Sequence, residues 1–190
     1  MHVRGKQRSR LAWHRTSALF GAILLAMLMV SMACDSTPPE PVVDEAPDDG
    51  ALHILVGASH PPYSTTPATS GPHWFTEPVQ GAPDGAPVRW GFYDHVIPDE
   101  ALVHNLEHGG IGLHYNCPQG CDELVEQLIE LVPRDPAQFV VSPYPDMESR
   151  IAVTAWRRVL HLEEFDEDLI RRFIRAHQDH APESIPRNLF

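Results

Sequence analysis

Residues 104 to 121 read HNLEHGGIGLHYNCPQGC and bring three histidines, a glutamate and two cysteines into one short span. Imidazole nitrogens suit zinc and copper, and a carboxylate beside them can bind the same ion or orient a ring. His104 and His108 are four residues apart. On a helix they share a face about one turn, or 6 Å, apart, whereas on a strand they would be about 13 Å apart. A shared ion therefore requires a helix. Glu107 lies between them, His114 follows on an alternating stretch, and His73 arrives from an earlier loop in SGPHW. The candidate metal ligands are thus His73, His104, Glu107, His108 and His114, and the expected cofactor is copper or zinc.

HNLEH also fits the H-x-x-E-H pattern of inverted zinc peptidases, in which two histidines hold zinc and the glutamate is the general base. On that alternative the chain is a metal-dependent hydrolase and Glu107 its catalytic residue. On a second alternative the histidines only satisfy buried backbone groups, and the chain is a non-catalytic interaction module braced by a disulfide. Cys117 and Cys121 fall one helical turn apart where a strand passes into a helix, a separation within disulfide range. The C-P-x-x-C spacing also resembles copper chaperones of the Sco type, whose two cysteines and distant histidine hold copper on a thioredoxin-like fold.

The elements around these residues follow from hydrophobic periodicity. IPDEALVHNLEHGG has a proline and acids where a helix would begin and a glycine pair where it would end. GIGLHYN alternates as a strand, and DELVEQLIELV carries Leu124, Val125, Leu128, Ile129 and Val132 on one helical face. QFVVSPY and RIAVTAWRRVLHL read as two further strands around a turn at PDMES, and DEDLIRRFIRAH as a closing amphipathic helix. The predicted class is α+β: a strand-helix-strand-strand-helix core resembling part of a thioredoxin-like fold. A long Pro/Gly-rich region, with one short strand in LHILVG, packs on it.

The N-terminus sets the compartment. Five basic residues precede the apolar run SALFGAILLAMLMV, which suits an export signal better than a membrane span. SMAC follows, placing Cys34 as a lipidation site in an imperfect lipobox. The expected organisation is a signal peptide over 1–33, an acidic Pro-rich tether over 34–50 and one globular domain over 51–190. The domain would be held at the cell envelope, facing the periplasm or the exterior, by its N-terminal lipid or an uncleaved signal. Without residues 1–33 the chain keeps nine of its 14 basic residues against all 26 acids, a formal charge of 9 − 26 = −17. Such a chain is a poor partner for nucleic acid.

TSGPHW, VHNLEHGG, GLHY, TAWRR and the terminal APE together resemble the bacterial family called domain of unknown function 3105, over roughly residues 60 to 184. The family pattern falls on Ser70, Gly71, His73, His104, Glu107, His108, Gly109, Tyr115 and Trp156. The resemblance implies an exported or membrane-anchored protein and points to the histidines as the common element. It implies no particular activity, and the CPQGC segment is not part of its general pattern.

Overall fold

The computed structural model describes residues 44–75, 77–133 and 138–185. Its frame is a six-stranded mixed sheet in the order β1-β8-β7-β5-β6-β4. Central β5 (Ile111–Tyr115) runs parallel to β6 (Phe139–Pro143) and antiparallel to β7 (Ile151–Ala155), which pairs antiparallel with β8 (Arg158–Leu162). Two-residue strands close the edges: β1 (Asp44–Glu45) beside β8, and β4 (Gly91–Phe92) beside β6. A separate parallel pair joins β2 (His53–Ile54) to β3 (His73–Trp74). The helices are α1 (Asp99–Glu107), α2 (Asp122–Leu131) and α3 (Glu167–His177).

The period-two pattern of the strands divides the interior in two. Ile111, Leu113, Phe139, Val141, Ile151, Val153 and Leu160 meet Leu124 and Leu128 of α2 and Leu169, Ile170 and Phe173 of α3. Through the opposite face Val140, Ala152 and Val159 meet Ala101 and Leu102 of α1, together with Ala82, Ala86, Val88 and Ile97 from the irregular region. Each fully buried Leu, Ile or Phe contributes about 1.5–3 kcal/mol. The sheet is thus covered on both faces, and α1, with the loops, forms the layer that carries the histidines.

The α+β class and the run of strand, helix, strands and helix are as expected, but the Pro/Gly-rich region holds β3 and β4 besides the one short strand expected in LHILVG, and two boundaries differ. RIAVTAWRRVLHL is a hairpin, not one strand: β7 turns at Trp156 and Arg157 into β8. Arg157 takes a left-handed φ of 55°, and backbone bonds from its N–H to the Thr69 carbonyl and from the Ala46 N–H to its own carbonyl hold it there. No Gly or Asn marks the turn, so tertiary bonds fix what local turn chemistry does not. Secondly, the tether assigned to 34–50 ends earlier. β1 pairs with β8, Ala46 is buried, and the Asp49 carboxylate accepts bonds from the Ser64 N–H and hydroxyl. The composition of residues 44–50 cannot order itself, but the open edge of β8 and the cationic Arg157 and Arg158 beside Glu45 can order it. The signal segment and Cys34 lie outside the described residues.

Candidate metal centre

α1 begins after Pro98, whose φ of −59° suits a helix entrance, with Asp99 and Glu100 in its first turn where the helix dipole favours acids. Seven of its nine residues are buried, because the helix is wedged between the sheet and the irregular region. Its polar side chains therefore need partners inside the protein. Asn105 has them: its Oδ1 accepts from the Val88 N–H at 2.9 Å and its Nδ2 donates to the Val88 carbonyl at 2.8 Å. Glu107 is in a different position. Its Oε2 is buried and has no hydrogen-bond partner among the described residues.

What Oε2 faces is a histidine cluster. His104 and Glu107, at i and i+3, share the helix face that α1 turns to β3. On the small parallel ladder His53 and His73 are register partners, so both rings lie on the same side. The ring centroids of His53, His73 and His104 are 4.6 to 5.0 Å apart pairwise. One donor atom from each of His53, His73, His104 and Glu107 fits in a group whose members all lie within 4.8 Å of one another. His73 is fully buried, His104 and Glu107 nearly so, and the His53 side chain is 39% exposed, so the group opens to solvent past His53.

Backbone carbonyls decide the tautomers. His73 Nδ1 lies 2.8 Å from the Gly71 carbonyl oxygen, and His104 Nδ1 is bonded to the Trp74 carbonyl oxygen. A carbonyl only accepts, so each Nδ1 carries the proton and donates. In a neutral ring Nε2 is then a bare lone pair. His73 Nε2 meets Glu107 Oε2 at 2.8 Å without the direction of a hydrogen bond, and His53 Nε2 lies 3.5 Å from the same oxygen. Burial pushes the His104 pKa down from 6.5 to about 3, against the opposing bond to Trp74, so this ring is neutral at any ordinary pH. Lone pairs and a carboxylate facing one another across a few ångströms form an arrangement that a cation would satisfy.

Three of the five ligands expected from sequence, His73, His104 and Glu107, are brought together; His108 and His114 are not in the group. His108, the C-cap of α1, is not in the group, so the helix does not carry the expected site at i and i+4. His108 stacks at 4.8 Å on His104, while its Nδ1 donates to the Glu183 carbonyl. The chain after α3 folds back to make that contact: the Asp179, Glu183 and Ile185 N–H groups donate to the carbonyls of Gly109, Glu107 and His108. Gly109 provides the φ of +87° needed there, and a side chain at that position would run into Asp179. His114 lies on the α1 face of β5, in ring contact with Tyr144 but outside the group, near Ser142 and Thr154 at 3.2 Å each, in space that Gly112 leaves by having no side chain. Burial holds its pKa at about 3, that of a neutral structural histidine.

His53 is the member of the group that sequence reasoning missed. The only local signal was its place in LHILVG, and nothing there shows that a two-residue strand would align it with His73. Cys117 and Cys121 form a disulfide with Cα atoms 5.8 Å apart, at the other end of β5 from α1. They supply no thiolate to the cluster, so the Sco-like ligand set is not assembled.

A family model described as protein of unknown function (DUF3105) matches residues 58–188. The chain belongs to that family. His73, His104 and Glu107 lie within the matched span, and His53 lies just before it. No curated protein and no solved structure matches.

Proposed function

We propose, with membership of this family as the premise, that the chain is an exported, envelope-anchored domain that binds one transition-metal ion through His53, His73, His104 and Glu107. The observation that carries the reading is the 2.8 Å approach of His73 Nε2 to Glu107 Oε2, two buried polar atoms with no hydrogen bond between them. An ion at that place would accept both lone pairs and neutralise the carboxylate. Three imidazoles and a carboxylate, with no thiolate, suit zinc or copper(II) rather than copper(I). His53 closes the solvent side, so an ion enters and leaves past it. Glu107 acts as a ligand, which removes it from the role of general base in the H-x-x-E-H reading.

The anchoring half of the proposal rests on the basic and apolar N-terminal segment ending in SMAC. Residues 35–43, before β1, would serve as the spacer between a lipid on Cys34 and the folded domain. Titration of the purified protein with Zn(II) and Cu(II), together with metal analysis of protein as isolated, tests the binding half. A 1:1 complex abolished by His73→Ala and by His104→Ala is the expected result. Binding of neither ion tighter than about 10 μM, weaker than any four-ligand site of this kind should give, would overturn it.

A further inference from the structure

The Cys117–Cys121 disulfide has no part in the metal reading, and little structural need explains it. It spans a single turn that is already closed by a backbone bond, Gly120 N–H to the Cys117 carbonyl. Closing so short a loop constrains the unfolded chain little. The bond joins no elements that hydrogen bonds leave apart. It is also accessible: both cysteines are half-buried and line a surface cleft of about 390 Å³ with Tyr115, Gly120, Val125 and Glu126.

That cleft does not end at the sulfurs. Tyr115 and Val125 also line a neighbouring cleft of about 440 Å³, together with Phe92, Tyr93, Ile129 and Val141. Phe92 and Ile129 are 48% and 36% exposed. On α2, Leu124, Leu128 and Leu131 go to the core, which leaves Val125 and Ile129 to this groove. The groove runs to β4, which has β6 on one side and, among the described residues, no strand on the other. Such an edge can take up an extended peptide. Asp94, Asp122 and Glu126 stand along the walls, with no Lys or Arg among the described lining residues.

We infer that Cys117–Cys121 is a thiol–disulfide exchange site for an extended, apolar and basic segment of another exported protein that carries a pair of cysteines. The partner's first thiolate attacks Cys117 Sγ, forming a mixed disulfide as the Cys117–Cys121 bond breaks. The bonding pair leaves on Cys121 Sγ. Cys121 is the N-cap of the ten-residue α2 and no side chain caps that end, so first-turn N–H groups are placed to stabilise the leaving thiolate. The partner's second thiolate then attacks its own sulfur in the mixed disulfide and expels Cys117 as thiolate. The partner is oxidised by two electrons to a disulfide, and the two protons its thiols lose end on Cys117 and Cys121 as a dithiol.

The test mixes the oxidised full chain with either of two synthetic dithiol peptides of equal length, one with Leu and Arg around its cysteines and one with Ser and Glu. Maleimide mass shifts follow both partners with time. The expected result is one peptide disulfide formed per chain disulfide lost, about tenfold faster for the Leu/Arg peptide, as burial of one or two apolar side chains in the groove would give. Phe92→Ser combined with Ile129→Ser should remove that preference while leaving reduction by dithiothreitol unchanged, which also reports an intact fold. Cys121→Ser given an excess of the disulfide-linked dimer of a single-cysteine Leu/Arg peptide should accumulate a mixed disulfide at Cys117, with release of one peptide thiol. Equal rates for the two peptides, or no mixed disulfide with Cys121→Ser, would show the bond to be structural.

Discussion

Glu107→Gln should move the stability of the metal-free protein and its metal affinity in opposite directions. Without an ion, Glu107 Oε2 faces the lone pair of His73 Nε2 at 2.8 Å, and neither atom has a hydrogen-bond partner among the described residues. A glutamine amide in that place donates to the lone pair. One new buried hydrogen bond is worth about 0.5–1.5 kcal/mol net, and removal of an unpaired buried carboxylate adds to it. For a domain of this size about 1 kcal/mol raises Tm by roughly 2–5 °C. Metal binding should fall. If a four-ligand zinc site is worth about 10–16 kcal/mol, one ligand accounts for about 3 kcal/mol, or on the order of 10²–10³-fold in Kd. Calorimetric scanning of chelator-treated protein and titration with Zn(II) read the two effects separately. Suppose instead that His73 were an imidazolium paired with Glu107. The same substitution would then break a buried ion pair, cost about 3–5 kcal/mol and lower Tm, and that result would refute the reasoning.

His53→Ala should weaken binding on the order of 10²-fold while changing metal-free stability by less than about 0.5 kcal/mol, since residues 51–53 are exposed. His108→Ala, by contrast, should retain the ion; equal losses in the two titrations would restore the i, i+4 site. Acid should destabilise the metal-free protein. Burial holds His114 and His104 at about 3, below their ordinary 6.5, so their stabilisation is complete above about pH 6.5 and is lost as pH falls toward 3. Asp99 opposes them: burial raises it from 3.8 to about 6, so its contribution is complete below 3.8 and is lost as pH rises through 6. Two histidines outweigh one carboxyl, and urea midpoints should fall between pH 7 and 4; a flat or rising series would contradict this. In a bacterial host, labelled palmitate should enter the wild type and not Cys34→Ala; label in neither would favour cleavage without lipidation.

The elements that position the site were legible where periodicity and caps agreed. α1 was marked by Pro98, its first-turn acids and the Gly109–Gly110 pair, and β5 by the alternation of Ile111, Leu113 and Tyr115. The pairing of Cys117 with Cys121 followed from spacing alone. Long-range contacts were not legible. His53 becomes a ligand candidate only because two residues of β2 align in register with β3. His108 is drawn to the carbonyl of Glu183 in the APE segment, and nothing in the sequence of that segment shows where it docks. His114 has the same chemistry as the grouped histidines, and alternation puts it on the α1 face of β5, but strand pairing sets its two ring nitrogens against the hydroxyls of Ser142 on β6 and Thr154 on β7. The turn at Trp156 and Arg157 carries no Gly or Asn, so its position depends on Thr69 and Ala46, far away in sequence. A histidine's identity sets what it can bind; which ring nitrogen is free depends on carbonyls such as those of Gly71 and Trp74 that arrive from elsewhere in the chain.

X-ray absorption at the zinc edge, on protein loaded with one equivalent of Zn(II), tests the central claim most directly. The expected spectrum has a first shell of nitrogen and oxygen alone at about 2.0–2.1 Å, with the multiple-scattering signature of about three imidazoles and no sulfur. A sulfur shell near about 2.3 Å, or the spectrum of the hydrated ion, would contradict it.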